Sequence, residues 1–208
     1  MVAMKYNLFA RLTVLTALFA AFGSPGLSAL IPVSGIAPSA PQSVRAPAAA
    51  RGVATSIAVA GAFHYSVLQQ PSGQPAYVSR QEDSVTQFSM ATRYGSQGFL
   101  AHNDLAGATF FEVELGDTIT VRYSDGTTSV FEVTHVRRLQ ANQPNSPYSS
   151  FADLDNAGET LTAAQLFYET YGVEETLILQ TCIAKGAVQS WGRLFIIATP
   201  AEVGQLAQ

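Results

Sequence analysis

A chain of 208 residues with 48% hydrophobic and 12% charged side chains is long enough for one domain with a real core, plus appendages. Its net charge of -4 and the absence of any block of like charges argue against a nucleic-acid partner and against a polybasic membrane patch. One cysteine, Cys182, rules out an internal disulfide.

At the N-terminus Lys5 and Arg11 accompany an uncharged apolar run, Leu12 to Phe22. Gly23 to Ala29 then supplies a break and small residues, which is the pattern of an export signal cleaved after Ala29. The apolar run is short for a membrane span, which takes about 20 residues. The alternative to cleavage is an uncut signal-anchor. The product is therefore expected outside the cell or on the outer side of the envelope, touching a membrane only through its N-terminus if uncut. Leu30 to Gly61, rich in Ala, Pro, Ser and Val, has neither helical nor alternating period and reads as a flexible spacer. These boundaries give a signal over 1–29, a spacer over 30–61, a domain over 62–200 and a tail over 201–208.

Within the domain, Ala62 to Leu68 and Ala76 to Ser79 read as strands around the turn Pro71-Ser72-Gly73. His64, in the first, reads as a structural or surface residue. Val85 to Leu100 is a mixed stretch with a turn at Gly95 to Gly98, and it leads to His102, where a strand should give way to a loop. Thr118 to Tyr123 alternates, with Ile119, Val121 and Tyr123 on one face. Asp125-Gly126 supplies a hairpin turn and Ser129 to Val136 the return strand, which sets His135 on the Phe131 and Val133 face. Ala141 to Leu161 is a long polar loop. Thr162 and Gln165 then form a capping box, Leu161 and Leu166 a hydrophobic staple, and Gly172 the end of a helix. Loop and helix together are placed to wall a substrate groove, an inert crossover being the alternative.

Glu174 to Cys182 is the next strand, and its contiguous Leu177-Ile178-Leu179 implies burial on both faces. Leu194 to Ala198 is another, ended by Pro200. Short strands, close turn signals and one convincing helix point to a mainly β domain, either barrel or sandwich. The sequence holds no Gly-rich phosphate loop and no clustered acidic or His/Cys ligand set, so neither a metal nor a cofactor is expected.

Chemically useful groups concentrate between Thr176 and Arg193. A thiol needs an electropositive setting to ionise near neutrality, because its ordinary pKa is about 8.5. A histidine can provide that setting and later protonate a leaving amine. An arginine cannot act as a base, but it can orient a carbonyl or support an oxyanion. His102, Cys182 and Arg193 are thus sufficient for acyl transfer through a thioester, provided that folding brings them together.

In combination these segments resemble the sortases: Leu100-Ala101-His102-Asn103 as the histidine after a strand, Thr176 to Cys182 as the cysteine strand, and Trp191-Gly192-Arg193-Leu194 as the downstream arginine. Gly116-Asp117 leading into a hairpin is similar too. Here Leu179-Gln180-Thr181-Cys182 matches the end of the family's motif, while the Thr-Leu pair stands two positions early. The resemblance implies a closed eight-stranded β-barrel with one or two short helices and a cysteine transpeptidase that needs no cofactor. Cys182 would attack the carbonyl of a sorting signal in another exported protein. His102 would protonate the departing amine and activate an incoming one, Arg193 would orient substrate and stabilise the oxyanion, and Thr181 would contact substrate or orient the backbone. The acceptor would be an amine of a cell-wall precursor or of a protein lysine, with water as substitute. Two other readings compete. A cell-wall L,D-transpeptidase would carry histidine beside the cysteine, where Gln180-Thr181 stand instead, and a non-catalytic envelope module would leave the thiol inert.

Overall fold

Strand pairing begins earlier than the sequence suggests, inside the Ala-rich stretch read as spacer. In the computed structural model, which describes residues 52–201, Ala54–Val59 forms β1 and places Ile57 and Val59 in the core. The alternation covers only Ile57 and Val59, with Ala58 between them, and a register shift between Ala54 and Ser56 puts the buried Ala54 out of step. The expected signal, the rest of the spacer and the tail from 202 onward lie outside the described residues, as does the first of the two units into which the chain divides at Val44. Among the described residues no helix is long and apolar enough to cross a membrane.

The chain continues as β2 (Phe63–Gln69), β3 (Ser84–Phe88), helix α1 (Ser89–Arg93) and β4 (Gln97–Leu100). A 3-10 helix, Ala106–Glu112, is followed by β5 (Thr118–Tyr123) and the long β6 (Thr128–Ala141). Then come β7 (Phe151–Asp153), β8 (Thr160–Leu161), helix α2 (Ala163–Tyr171), β9 (Leu177–Lys185) and β10 (Val188–Pro200). The sheet runs β10-β9-β4-β3-β2-β1-β5-β6, and β10 pairs again with β6, so eight strands close into a barrel. The two parallel joints are β2 with β3 and β4 with β9. β7 and β8 extend the free end of β6 as an annex, which turns the expected polar loop 141–161 into two short strands.

Ala76 to Ser79 is not a strand. Its polar backbone is spent on side chains instead: the Ser79 N–H donates to Thr86 Oγ1 and the Val78 carbonyl accepts from His102. The Asp125-Gly126 hairpin stands as read, with Asp125 accepting from the Thr127 N–H and hydroxyl, and Gly126 at φ +83°. His135 departs from its expected face. Ile197 pairs with His135 but Ala198 with Val133, so Thr134 is an extra residue in β6. This bulge turns His135 out to solvent while Phe131 and Val133 stay inside.

Two apolar clusters result. One fills the barrel, with Ile57, Phe99, Phe110, Ile119, Leu177, Leu179, Leu194 and Ile196 among its members. The other lies on the outer wall of β9, β10 and β6 and holds Ile178, Phe195 and Leu139 with Leu166 and Tyr171 of α2. Leu177, Ile178 and Leu179 are each at 0% exposure, which confirms that this run is buried on both faces. The helix forms where its signals lie. Thr162 Oγ1 accepts from the Gln165 N–H, the Gln165 side chain accepts from the Thr162 N–H, and the chain leaves the helix at Gly172. Such a cap stabilises by about 1 kcal/mol.

Candidate active site

The wall of β9 sorts its residues by alternation. Leu177, Leu179 and Thr181 face the barrel interior, and Ile178, Gln180 and Cys182 face outward. On β10 the same rule puts Leu194, Ile196 and Ala198 inside and Arg193, Phe195 and Ile197 outside. Cys182 is directly opposite Arg193 in the antiparallel pairing, so both side chains leave the same face. On its other side β9 runs parallel to β4, with Gln97 beside Leu177 and Leu100 beside Gln180. The Ala101 N–H donates to the Gln180 carbonyl and carries that register one step further, which brings His102 level with Cys182. One row across β10, β9 and the loop that follows β4 therefore carries guanidinium, thiol and imidazole.

His102 is held tightly by its backbone. Its carbonyl accepts the N–H groups of Leu105, at 3.0 Å, and Gly107, at 2.9 Å, which start the 3-10 helix. A side chain at Gly107 has no room, because its Cβ would collide with Thr181 Oγ1 and stand 2.7 Å from the His102 carbonyl oxygen. Thr181 Oγ1 in turn donates to the Ala101 carbonyl at 3.0 Å. The strand carrying the thiol and the loop carrying the imidazole are thus tied by one hydroxyl. Thr181 is 2% exposed and faces inward, and its hydroxyl serves the backbone, the second of the two roles expected of it. Alternation already implies as much, since the neighbour of an outward cysteine must point the other way.

His102 and Cys182 line a single cleft of about 400 Å³ with Arg80, Asn103, Asp104, Gln189 and Ser190. That volume falls within the range of small-ligand sites. Cys182 is half-buried, so the thiol is neither sealed in the barrel nor fully in water. Arg193 does not line this cleft. Its Nη1 donates to the carbonyls of Ser190, at 3.0 Å, and Gly192, at 2.8 Å, and its guanidinium carbon is 6.0 Å from the centre of the Phe151 ring. The arginine thus braces the bulged edge of β10, where Val188 pairs with Lys185 and Gly192 with Ile183.

The rest of the cleft had no sequence signal beyond its polarity. Arg80 and Asp104 form an exposed ion pair at 2.6 Å, and the hydrogen bond from Arg80 holds the Asp104 carboxyl below the usual carboxylate range. Asn103 Nδ2 donates to the Gln189 carbonyl at 3.1 Å and ties the histidine loop to the β9–β10 hairpin. No residue here forms part of a cluster of three or more His, Cys, Asp or Glu able to hold a metal, among the described residues.

No protein-family model matches the chain, and no curated protein matches it. Solved structures do. The lid mutant of sortase A from Corynebacterium diphtheriae is similar over 74% of this chain and 73% of its own, at 17% identity and a TM-score of 0.46. Sortase C-1 from Actinomyces oris is similar over 72% and 71%, at 12% identity and a TM-score of 0.47. Sortase C1 from Streptococcus suis is similar over 76% and 78%, at 12% identity and a TM-score of 0.46. The likeness is one of fold, and the chemistry rests on the cleft residues alone.

Proposed function

We propose that this chain is a sortase-like cysteine transpeptidase that cuts a sorting signal in an exported protein and passes the acyl group to an amine, or to water when no amine is at hand. The observation that carries the reading is the convergence of His102 and Cys182 on one open cleft, with Arg193 across the strand from the thiol. The Cys182 thiolate attacks the scissile carbonyl, and the tetrahedral adduct collapses to a thioester as the C–N bond breaks. His102 in its protonated form supplies the proton that the leaving amine takes. The neutral imidazole then removes a proton from the incoming amine, whose attack breaks the C–S bond and frees the thiol. In its present position Arg193 shapes the wall around Ser190. Contact with the substrate carbonyl requires it to leave the Ser190 and Gly192 carbonyls. The enzyme acts on the outer side of the envelope or in the medium, in keeping with the export signal in the sequence.

Intact-protein mass spectrometry tests this after incubation with Leu-Pro-x-Thr-Gly-type peptides and, in a parallel arm, peptidoglycan tetrapeptides. An acyl adduct on Cys182 from the first panel, absent in Cys182→Ala, is the expected result. An adduct from the second panel alone would make the protein a cell-wall L,D-transpeptidase. No adduct from either, with a thiol whose alkylation ignores His102, would leave a non-catalytic barrel.

A further inference from the structure

The peptide group that joins Val78 to Ser79 is used at both ends. Its carbonyl lies 3.3 Å from His102 Nε2, and its N–H donates to Thr86 Oγ1 at 2.8 Å. A carbonyl only accepts, so Nε2 carries the hydrogen and the lone pair of the neutral ring falls on Nδ1. Thr86 is at 0% exposure and Ser79 at 6%, so water does not compete for the bond between them. Thr86 sits in β3 between Leu68 of β2 and Leu100 of β4, hydrogen-bonded strands on both sides. The segment is pinned again just beyond: Ser79 Oγ accepts the Gln81 N–H at 3.0 Å, and Ser84 Oγ donates to the Gln81 carbonyl at 2.8 Å. A non-strand loop thus presents one carbonyl to the imidazole at an angle set by a buried hydroxyl.

We propose that Thr86 is a positioning residue for proton transfer: through the Val78–Ser79 peptide plane it fixes the Nε2–H tautomer of His102 and reserves Nδ1 for exchange with the thiol and the amines. The inference rests on the reading of His102 as the acid and base. The charged or titratable groups that share its cleft are Arg80, Asp104 and Cys182; the Asp104 carboxylate, an acceptor able to set a tautomer, is engaged by Arg80 at 2.6 Å, and Nε2 is met by the Val78 carbonyl.

Two measurements on the full chain decide the matter. Nitrogen NMR of ring-labelled histidine, with His102 assigned by its loss in His102→Ala, should show the Nε2–H tautomer in the unaltered protein; an Nδ1–H tautomer overturns the proposal. Iodoacetamide alkylation of Cys182 is then followed against pH. Thr86→Val, which removes the acceptor of a buried N–H, should mix the tautomers, move the profile toward that of His102→Ala and lower the neutral-pH rate about tenfold, a part of what acid–base catalysis supplies. Thr86→Ser should restore both. A Thr86→Val profile identical to the unaltered one, while His102→Ala moves it, sinks the role of Thr86 and leaves the proposed enzyme standing. If His102→Ala itself leaves the profile in place, the enzyme reading fails, and the tautomer of Thr86→Val still settles the role of the threonine. Should Thr86→Val not fold, Thr86→Ala, which leaves space for a water, is read in its place.

Discussion

The outer face of β9 and β10 has two ends that differ only in what lies over them. At one end Ile178 and Phe195 are shut beneath Leu166 and Tyr171 of α2. At the other, Cys182 is half-buried beside an open cleft. Gln180 marks the border: its side chain accepts a hydrogen bond from the Tyr171 hydroxyl at 2.5 Å, and burial pushes that phenol well above its ordinary pKa. The helix has nine residues and so spans about 14 Å of wall. Two residues past the point where it stops supplying cover, the same strand and the same face turn from core to open cleft. A rigid strand anchored at its covered end is what holds a thiol steady at its open end.

The open end should give the largest effects, on chemistry and not on stability. Cys182→Ala removes the only thiol and with it all acylation, while the thermal midpoint stays within a few degrees. His102→Ala should slow acylation by about 10²- to 10⁴-fold, the usual worth of a positioned acid and base. Stopped-flow acylation alongside thermal unfolding checks both. A His102→Ala protein that loses stability and keeps its rate would erase the contrast between the ends.

The covered end should show the reverse. Phe195 is 3% exposed, and its ring centre lies 6.4 Å from that of Tyr171 in an edge-on arrangement. Phe195→Ala should cost about 3–5 kcal/mol, the range for deleting a buried aromatic side chain. Urea titration measures it. Below the unfolding transition the alkylation rate of Cys182 should change less than about twofold, since the row through His102, Cys182 and Arg193 is set by backbone pairing.

The covered end was also the more legible one. Capping-box residues Thr162 and Gln165, the closing Gly172 and the triple Leu177-Ile178-Leu179 are local signals, and each produced the element it announced. His102 and Cys182 meet in the cleft as their motif segments led one to expect, while Arg193 lies across the strand from the thiol and outside the cleft lining. What escaped depends on distant chain: Arg80 and Asp104 meet in the cleft only because a loop crosses the end of β4, and nothing in either local sequence encodes that meeting. β1 escaped because a register shift between Ala54 and Ser56 leaves only Ile57 and Val59 to show an apolar alternation. His135 was misplaced because one extra residue, Thr134, reverses the face of everything after it, and no turn residue betrays such a bulge.

The row through the thiol does not end at Arg193. Leu139 pairs with Arg193 and Asp153 with Leu139, so a buried carboxylate closes the row on the annex side. Burial alone would raise the Asp153 carboxyl, but the hydrogen bond from Arg137 at 2.9 Å, those from the N–H groups of Asp155 and Asn156, and the Arg137 charge together bring it below its ordinary value. A lowered folded-state pKa means stability that is fully present above the unfolded value, about 3.9, and that is lost as pH falls through the folded one. Asp153→Asn keeps the shape, removes the charge and leaves Arg137 with Glu169 alone, at 3.3 Å. Its cost at neutral pH should be about 1–3 kcal/mol, the range for breaking a buried polar pair. Denaturant titrations of both proteins should then converge as the solution is taken below about pH 4, because the native carboxylate is itself being neutralised there. A gap that stays constant down that acid limb would mean that Asp153 holds the annex by shape and not by charge. The closed end of the row would then be no more electrostatic than the packing under α2.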